Sequence, residues 1–334
     1  MTIRLAAAAY RLPPDSEPVA SILDRERDRV ASALAAVGPV LRARVLAELE
    51  IDRIRTCGPS DPFHLMVGAA HEALSTAGVA RDRVDLILDY STLPGEAGVS
   101  SPLAHRLSED LGARTSLNLS FKFGGCAGLH LAVKQAGALM RTDPRLKVAL
   151  LVAADSPPPG NRSLLPVTIQ GDAGSAVVLT RDGGVGPEIV ATEVLTLGHL
   201  HRVIRLERGP AGVGLELCVD ARMLEEDVLP IFYLHFHRLL QKIYADARLT
   251  ASDIDHVVYS NLSGSDRRGF MRAMGFHPDK ALITRMAECG HTFASDLVLN
   301  YVDLERQGAI KPGQWLLFAS AGIGFTWGVT LVRT

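Results

Sequence analysis

Three stretches in the first half of this chain recur, in the same order, in the second half. "GVARDRVDLILDYSTLPG" (78–95) resembles "RLTASDIDHVVYSNLSG" (248–264), with Asp85 matched to Asp255. "KVALLVAADS" (147–156) resembles "QWLLFASAGI" (314–323), and "GSAVVLTR" (174–181) echoes "TWGVTLVR" (326–333). A single match arises easily between two α/β segments, but three in one order point to a duplication. The first pair reads as helix, turn, apolar strand and a loop of Ser and Gly. The second pair consists of continuous apolar runs, the mark of strands covered on both faces. The pattern predicts an α/β protein of two halves, about 1–180 and 181–334, each a mixed sheet with packed helices. A length of 334 residues suits two cores better than one.

Composition narrows the function. The chain is 47% hydrophobic and 22% charged, with a formal net charge of −2, ordinary for a soluble enzyme. No global basic character or polybasic tail argues for nucleic acid. The start, "MTIRLAAAAYRLPPD", is broken by Tyr10, Arg11 and two prolines, so it reads as a first strand rather than a signal peptide or membrane span. Cys57, Cys126, Cys218 and Cys289 are scattered without a CxxC pair. They suit neither a zinc site nor a disulfide framework, so no metal and a reducing cytoplasm are expected.

Cys126 stands apart from the other three. In "FKFGGCAGLHLAVKQAG" (121–137) it lies between glycines, where a helix-patterned run begins. A structural thiol belongs in a core. A thiol at a strand-to-helix turn instead meets unpaired backbone N–H groups and the positive end of a helix dipole, both favourable to a nucleophilic thiolate. The corresponding stretch of the second half is "MAECGHTFASDLVLN", which puts His291 where the first half has Cys126. If the halves pack about a pseudo-twofold, the two turns meet, and His291 can act as base or as imidazolium partner. The loop "AGIG" (321–324) offers Gly322 and Gly324 for close backbone approach, and with it an N–H for an oxyanion. His199 and His201 lack a carboxylate or cysteine companion nearby and read as surface or substrate-loop residues.

These segments resemble those of the thiolase-fold condensing enzymes, β-ketoacyl-acyl-carrier-protein synthase III above all. "GGCAGLHLAVKQAGALMR" resembles the nucleophile turn and helix of that family, "IQGDAGSAVVL" its Gly-Asp-Gly-Ala-Gly-Ala segment, and "IKPGQWLLFASAGIGFTWGVTLV" its closing strand, glycine loop and strand. The resemblance implies a thiolase-like duplicated αβαβα sandwich, usually a homodimer. It implies thioester substrates carried on coenzyme A or an acyl carrier protein, with no further cofactor. It implies Cys126 as nucleophile. The family's second residue, a histidine, falls on Ser260, with Asn261 next to it. The third, an asparagine, falls on His291. Asn261 with His291 resembles the pairing of thiolases proper; whether Ser260 or Asn261 fills the second position stays open.

Two functions follow from different classes. One is an acyltransferase or condensing enzyme that loads an acyl group on Cys126 and passes it on, in a specialised pathway rather than fatty-acid initiation. The other is a non-catalytic thiolase-fold subunit of a heterodimer, which is expected to have lost the cysteine. Loops such as 91–101 and 195–215 are expected to wall the substrate pocket.

Overall fold

The structure, a computed structural model, describes all residues except 59, 94–101, 123, 210–213 and 282–284, and not the side chain of residue 44. The pocket loops expected at 91–101 and 195–215 therefore lie partly outside the described residues. The main sheet contains β1 (Ile3–Arg11), β2 (Leu86–Asp89), β3 (Leu117–Ser120), β4 (Val148–Asp155), β5 (Ala173–Arg181), β6 (Glu188–Thr196), β7 (His256–Tyr259), β8 (Trp315–Gly322) and β9 (Thr326–Arg333). The helices that matter here are α1 (Phe63–Thr76), α2 (Leu103–Leu111), α3 (Gly128–Thr142), α4 (Phe232–Ala247), α5 (Gly264–Ala273) and α6 (Asp296–Arg306).

Strand order is β7-β8-β9-β6-β1-β5-β4-β2-β3. The two sides of this order match. β2 runs parallel to β4, which is antiparallel to β5, which is antiparallel to β1. Likewise β7 runs parallel to β8, antiparallel in turn to β9, and β9 to β6. The three repeated stretches thus supply β2 and β7, β4 and β8, β5 and β9. Even the matched aspartates do the same work. Asp85 accepts the N–H of Val148 at the start of β4, and Asp255 that of Trp315 at the start of β8. Between the two runs, β1 and β6 pair only at Arg4 and Glu188.

Strand alternation builds the layers. Leu86 and Leu88 of β2, with Leu316 and Phe318 of β8, face one shared core, together with Leu129, Ala132 and Val133 of α3 and Leu297, Val298 and Tyr301 of α6. The intervening residues point the other way. Ile87 of β2 and Leu150 of β4 pack on α1 and α2. Leu317 of β8 and Val329 of β9 pack on Phe236 and Leu240 of α4 and Phe270 of α5. The result is helices, sheet, helices, sheet, helices: the thiolase-like αβαβα sandwich. Strands covered on both faces must be apolar at every position, which is why β4 and β8 read as unbroken apolar runs. Burying one such Leu, Ile or Phe contributes about 1.5–3 kcal/mol. No helix among the described residues is long and apolar enough to cross a membrane.

Candidate active site

The inner helices α3 and α6 both begin at one place. A short 3-10 turn, Gly125–Ala127, precedes α3, and another, Phe293–Ser295, precedes α6. The two turns bring Cys126 and His291 together: Sγ lies 3.1 Å from Nε2, and both residues are buried. The backbone around Cys126 tolerates only glycine. Gly125 has φ +57°, and a Cβ there would sit 2.3 Å from the Ile323 nitrogen. A Cβ on Gly322 would sit 2.3 Å from the nitrogen of Cys126 itself. The end of β8 therefore rests directly on the cysteine turn, and the Ser320 hydroxyl donates to the Cys126 carbonyl at 2.8 Å.

Behind the histidine lies a residue that the sequence reading missed. His291 Nδ1 meets Asp296 Oδ2 at 2.5 Å, which leaves Nε2 to face the sulfur. Asp296 is fully buried, and four donors meet its carboxylate. Oδ2 also accepts the Asn261 N–H at 2.7 Å, while Oδ1 accepts the Thr292 N–H at 2.7 Å and the Thr292 hydroxyl at 2.8 Å. A buried charge held this way is well compensated. Burial disfavours a charge on His291, but Asp296 and then the Cys126 sulfur outweigh it, so its proton affinity is raised well above that of an ordinary histidine. The signal for Asp296 was its place five residues after His291 in "HTFASD", on the first turn of α6. Spacing alone does not separate such a residue from a helix-start carboxylate.

The remaining candidates fare differently. Asn261 is close by, and its side chain is engaged by Asn300: Oδ1 accepts from Asn300 Nδ2 at 2.8 Å, and Nδ2 lies 3.4 Å from Asn300 Oδ1. Only its backbone N–H serves the site, through Asp296. Asn300 itself is fixed by the Tyr259 carbonyl, to which it donates at 2.8 Å. Ser260 is buried just after β7, and its hydroxyl has no hydrogen-bond partner among the described residues. Asn261 and His291 are joined through Asp296, whose Oδ2 meets both the Asn261 N–H and His291 Nδ1. Gly322 lines the cavity beside Cys126, whereas Gly324, at φ +119°, shapes the turn into β9. Cys289 is a core residue whose thiol donates to the Arg285 carbonyl at 3.0 Å. His199 and His201 are exposed.

Cys126 and His291 open onto a cavity of about 380 Å³. Its wall is mostly hydrocarbon, from Val45, Leu164, Val228, Phe232 and Phe325, with Tyr233 and Asp266 among the few polar residues. That volume suits a small-molecule substrate.

A duplicated sandwich with a cysteine and a histidine on the facing turns of its inner helices defines a thiolase-fold protein. Comparison with known proteins agrees. Residues 244–334 match the family model for the C-terminal part of 3-oxoacyl-[acyl-carrier-protein (ACP)] synthase III. The β-ketoacyl-[acyl-carrier-protein] synthase III of Erythrobacter litoralis is 28% identical over 276 residues, covering 80% of this chain and 83% of that protein. Among solved structures, ChlB3, described as an acyltransferase, superposes with a TM-score of 0.81 at 23% identity, covering 100% of this chain and 98% of its own. The priming β-ketosynthase of the R1128 polyketide biosynthetic pathway gives 0.80 at 18% identity, covering 99% and 96%. Over most of its length the chain is thus similar in sequence to β-ketoacyl-[acyl-carrier-protein] synthase III proteins, and in fold to solved structures of that kind.

Proposed function

We propose that this chain is an acyltransferase that carries an acyl group on Cys126 from a coenzyme A or carrier-protein thioester to a second substrate. The observation that carries the reading is the buried relay Cys126–His291–Asp296, with contacts of 3.1 and 2.5 Å. In the first half-reaction Sγ, its proton already resting on His291 Nε2, attacks the thioester carbonyl. The tetrahedral oxyanion needs N–H donors, for which the Cys126 backbone and the Gly322–Ile323 segment packed against it are the candidates. Collapse breaks the bond to the carrier sulfur, and His291 returns the proton to that leaving thiolate. In the second half-reaction the acceptor gives its proton to Nε2 as it attacks the acyl carbon. Sγ leaves and takes the proton back. Asp296 keeps Nδ1 protonated, so that Nε2 alone faces the reacting atoms.

Decarboxylative condensation asks for more. The enolate oxygen of a malonyl thioester needs two donors, and loss of one such donor costs about 10²–10³ in rate. Here the second-position histidine is replaced by Ser260, whose side chain is shorter, and the Asn261 amide is engaged by Asn300. We therefore expect weak β-ketoacyl product when the acylated enzyme meets malonyl-CoA or a malonyl carrier protein. Turnover at rates typical of enzymes in that assay would reverse the preference for acyl transfer. The description of ChlB3 as an acyltransferase and of the R1128 protein as a polyketide enzyme supports a role in specialised biosynthesis.

We also propose a homodimer. The edge strand β3 leaves Leu117 exposed at 42%, an apolar residue on an unpaired sheet edge that a second copy can extend. Sedimentation at micromolar concentration should give a dimer mass of twice the chain; a monomer would contradict it. The alternative, an inactive partner of a heterodimer, sits badly with an intact Cys126–His291 contact.

A further inference from the structure

The turn that follows His291 has a backbone conformation that suits glycine and a side chain that does not. Phe293 opens the 3-10 turn Phe293–Ser295 at φ +57°. An L residue in that left-handed region brings its Cβ too close to the backbone, and a bulky one there is an outlier. Hydrogen bonds fix the chain around it. The His291 N–H donates to the Ile169 carbonyl at 3.0 Å, the Thr292 N–H to Asp296 Oδ1 at 2.7 Å, and the Ser295 N–H to the Thr292 carbonyl at 3.1 Å. The bend therefore belongs to the His291–Asp296 arrangement, and glycine would adopt it without strain. What the strained residue adds is its ring. That ring is buried beside the imidazole: the two ring centroids lie 5.5 Å apart, at an interplanar angle of 37°. It also lines the cavity onto which Cys126 and His291 open, in one apolar cluster with Leu164, Val228, Phe232 and Phe325 of the same wall.

We propose that Phe293 keeps water from the acyl-Cys126 carbonyl, so that the loaded enzyme discharges to an acceptor rather than to solvent. The cavity, at about 380 Å³, has far more room than one water needs. His291 Nε2 can take a proton from water as it can from an alcohol or a thiol, so the base by itself does not discriminate between them. In the step that is suppressed, a water oxygen bonds to the acyl carbon and gives one proton to Nε2. The bond from that carbon to Sγ breaks, the free acid departs, and the proton is left on the Cys126–His291 pair. Discrimination has to come from the surroundings. Water settles where two or more polar partners meet it, and a phenyl ring beside the base supplies none. An acceptor with apolar surface of its own packs against the same ring. This inference rests on the acyl-Cys126 reading.

The test uses the intact protein, loaded from acetyl-, hexanoyl- or decanoyl-CoA, freed of donor, and followed by intact mass in buffer without acceptor. The Phe293→Ala adduct should decay faster than the wild-type adduct by about tenfold or more, with free acid as the product, while the rate of loading changes little. Phe293→Leu, which keeps apolar bulk beside the base, should recover most of the wild-type lifetime. Phe293→Gly should shorten the lifetime as alanine does yet melt at a higher temperature than the alanine variant, because glycine relieves the backbone strain. Should the alanine variant fail to fold, judged by its thermal melt, the glycine variant carries the comparison. An adduct whose lifetime is unchanged by these substitutions, or whose loading and decay change by the same factor, overturns the role of Phe293 alone. Failure of the wild type to form an adduct from any of the three donors removes the acyl-enzyme reading and this inference with it.

Discussion

Cys126→Ala should give a folded protein that gains no acyl mass from any acyl-CoA, while the wild type gains one acyl group. The effect is total because no other thiol is placed to substitute. Cys289 points into the core, and burial pushes its thiol far above the ordinary range. Cys57 is held above its usual range, to about 12, chiefly by burial and then by the nearby Asp172. Folding should survive. The substitution removes one sulfur from a site anchored by backbone: the Ser320 hydroxyl holds the Cys126 carbonyl, and Gly125 and Gly322 meet through main-chain atoms. The alanine Cβ occupies space that the cysteine already filled, and the lost apolar volume is small. An unchanged melt with an unchanged adduct mass would show that another residue is the nucleophile. An unchanged melt with no adduct is the expected result.

His291→Ala should slow loading or transfer by about 10²-fold or more, the usual scale for a positioned acid–base group. It should also lower stability, because the Asp296 oxygen that faced Nδ1 loses a charged donor within a fully buried network. The pH dependence of that loss has a definite direction. Unfolded histidine releases its proton near pH 6.5. In the folded protein Asp296 and the Cys126 sulfur hold the proton to much higher pH, against the opposing effect of burial. The folded state therefore binds more protons over this interval, and the pair's contribution is complete below about pH 6.5 and fades as pH rises through the folded-state value. The gap in melting temperature between wild type and variant should accordingly be widest at pH 6 and narrow in alkaline buffer. A gap that widens with pH would mean that His291 is neutral in the folded protein. Full activity of the variant at neutral pH would remove His291 from the chemistry.

The sequence by itself determined the architecture and which two side chains, Cys126 and His291, meet between its halves. Strand and helix periods act locally, so the order of apolar runs, turns and glycines already describes the layers. A duplicated order also says which turns face each other, and that is why Cys126 and His291 could be paired at a separation of 165 residues. What only the tertiary structure decided is where side chains of intermediate character point. Asn261 follows β7 at the expected place, yet it is the Asn300 amide on α6 that its side chain meets. Asp296 looks in sequence like any carboxylate at a helix start, and it becomes the partner of His291 only because four donors from two segments converge on it. Each of these outcomes depends on which hydrogen-bond partner comes within about 3 Å across different elements. Local propensity carries no information about that distance; the packing of α3, α5 and α6 against the sheet sets it.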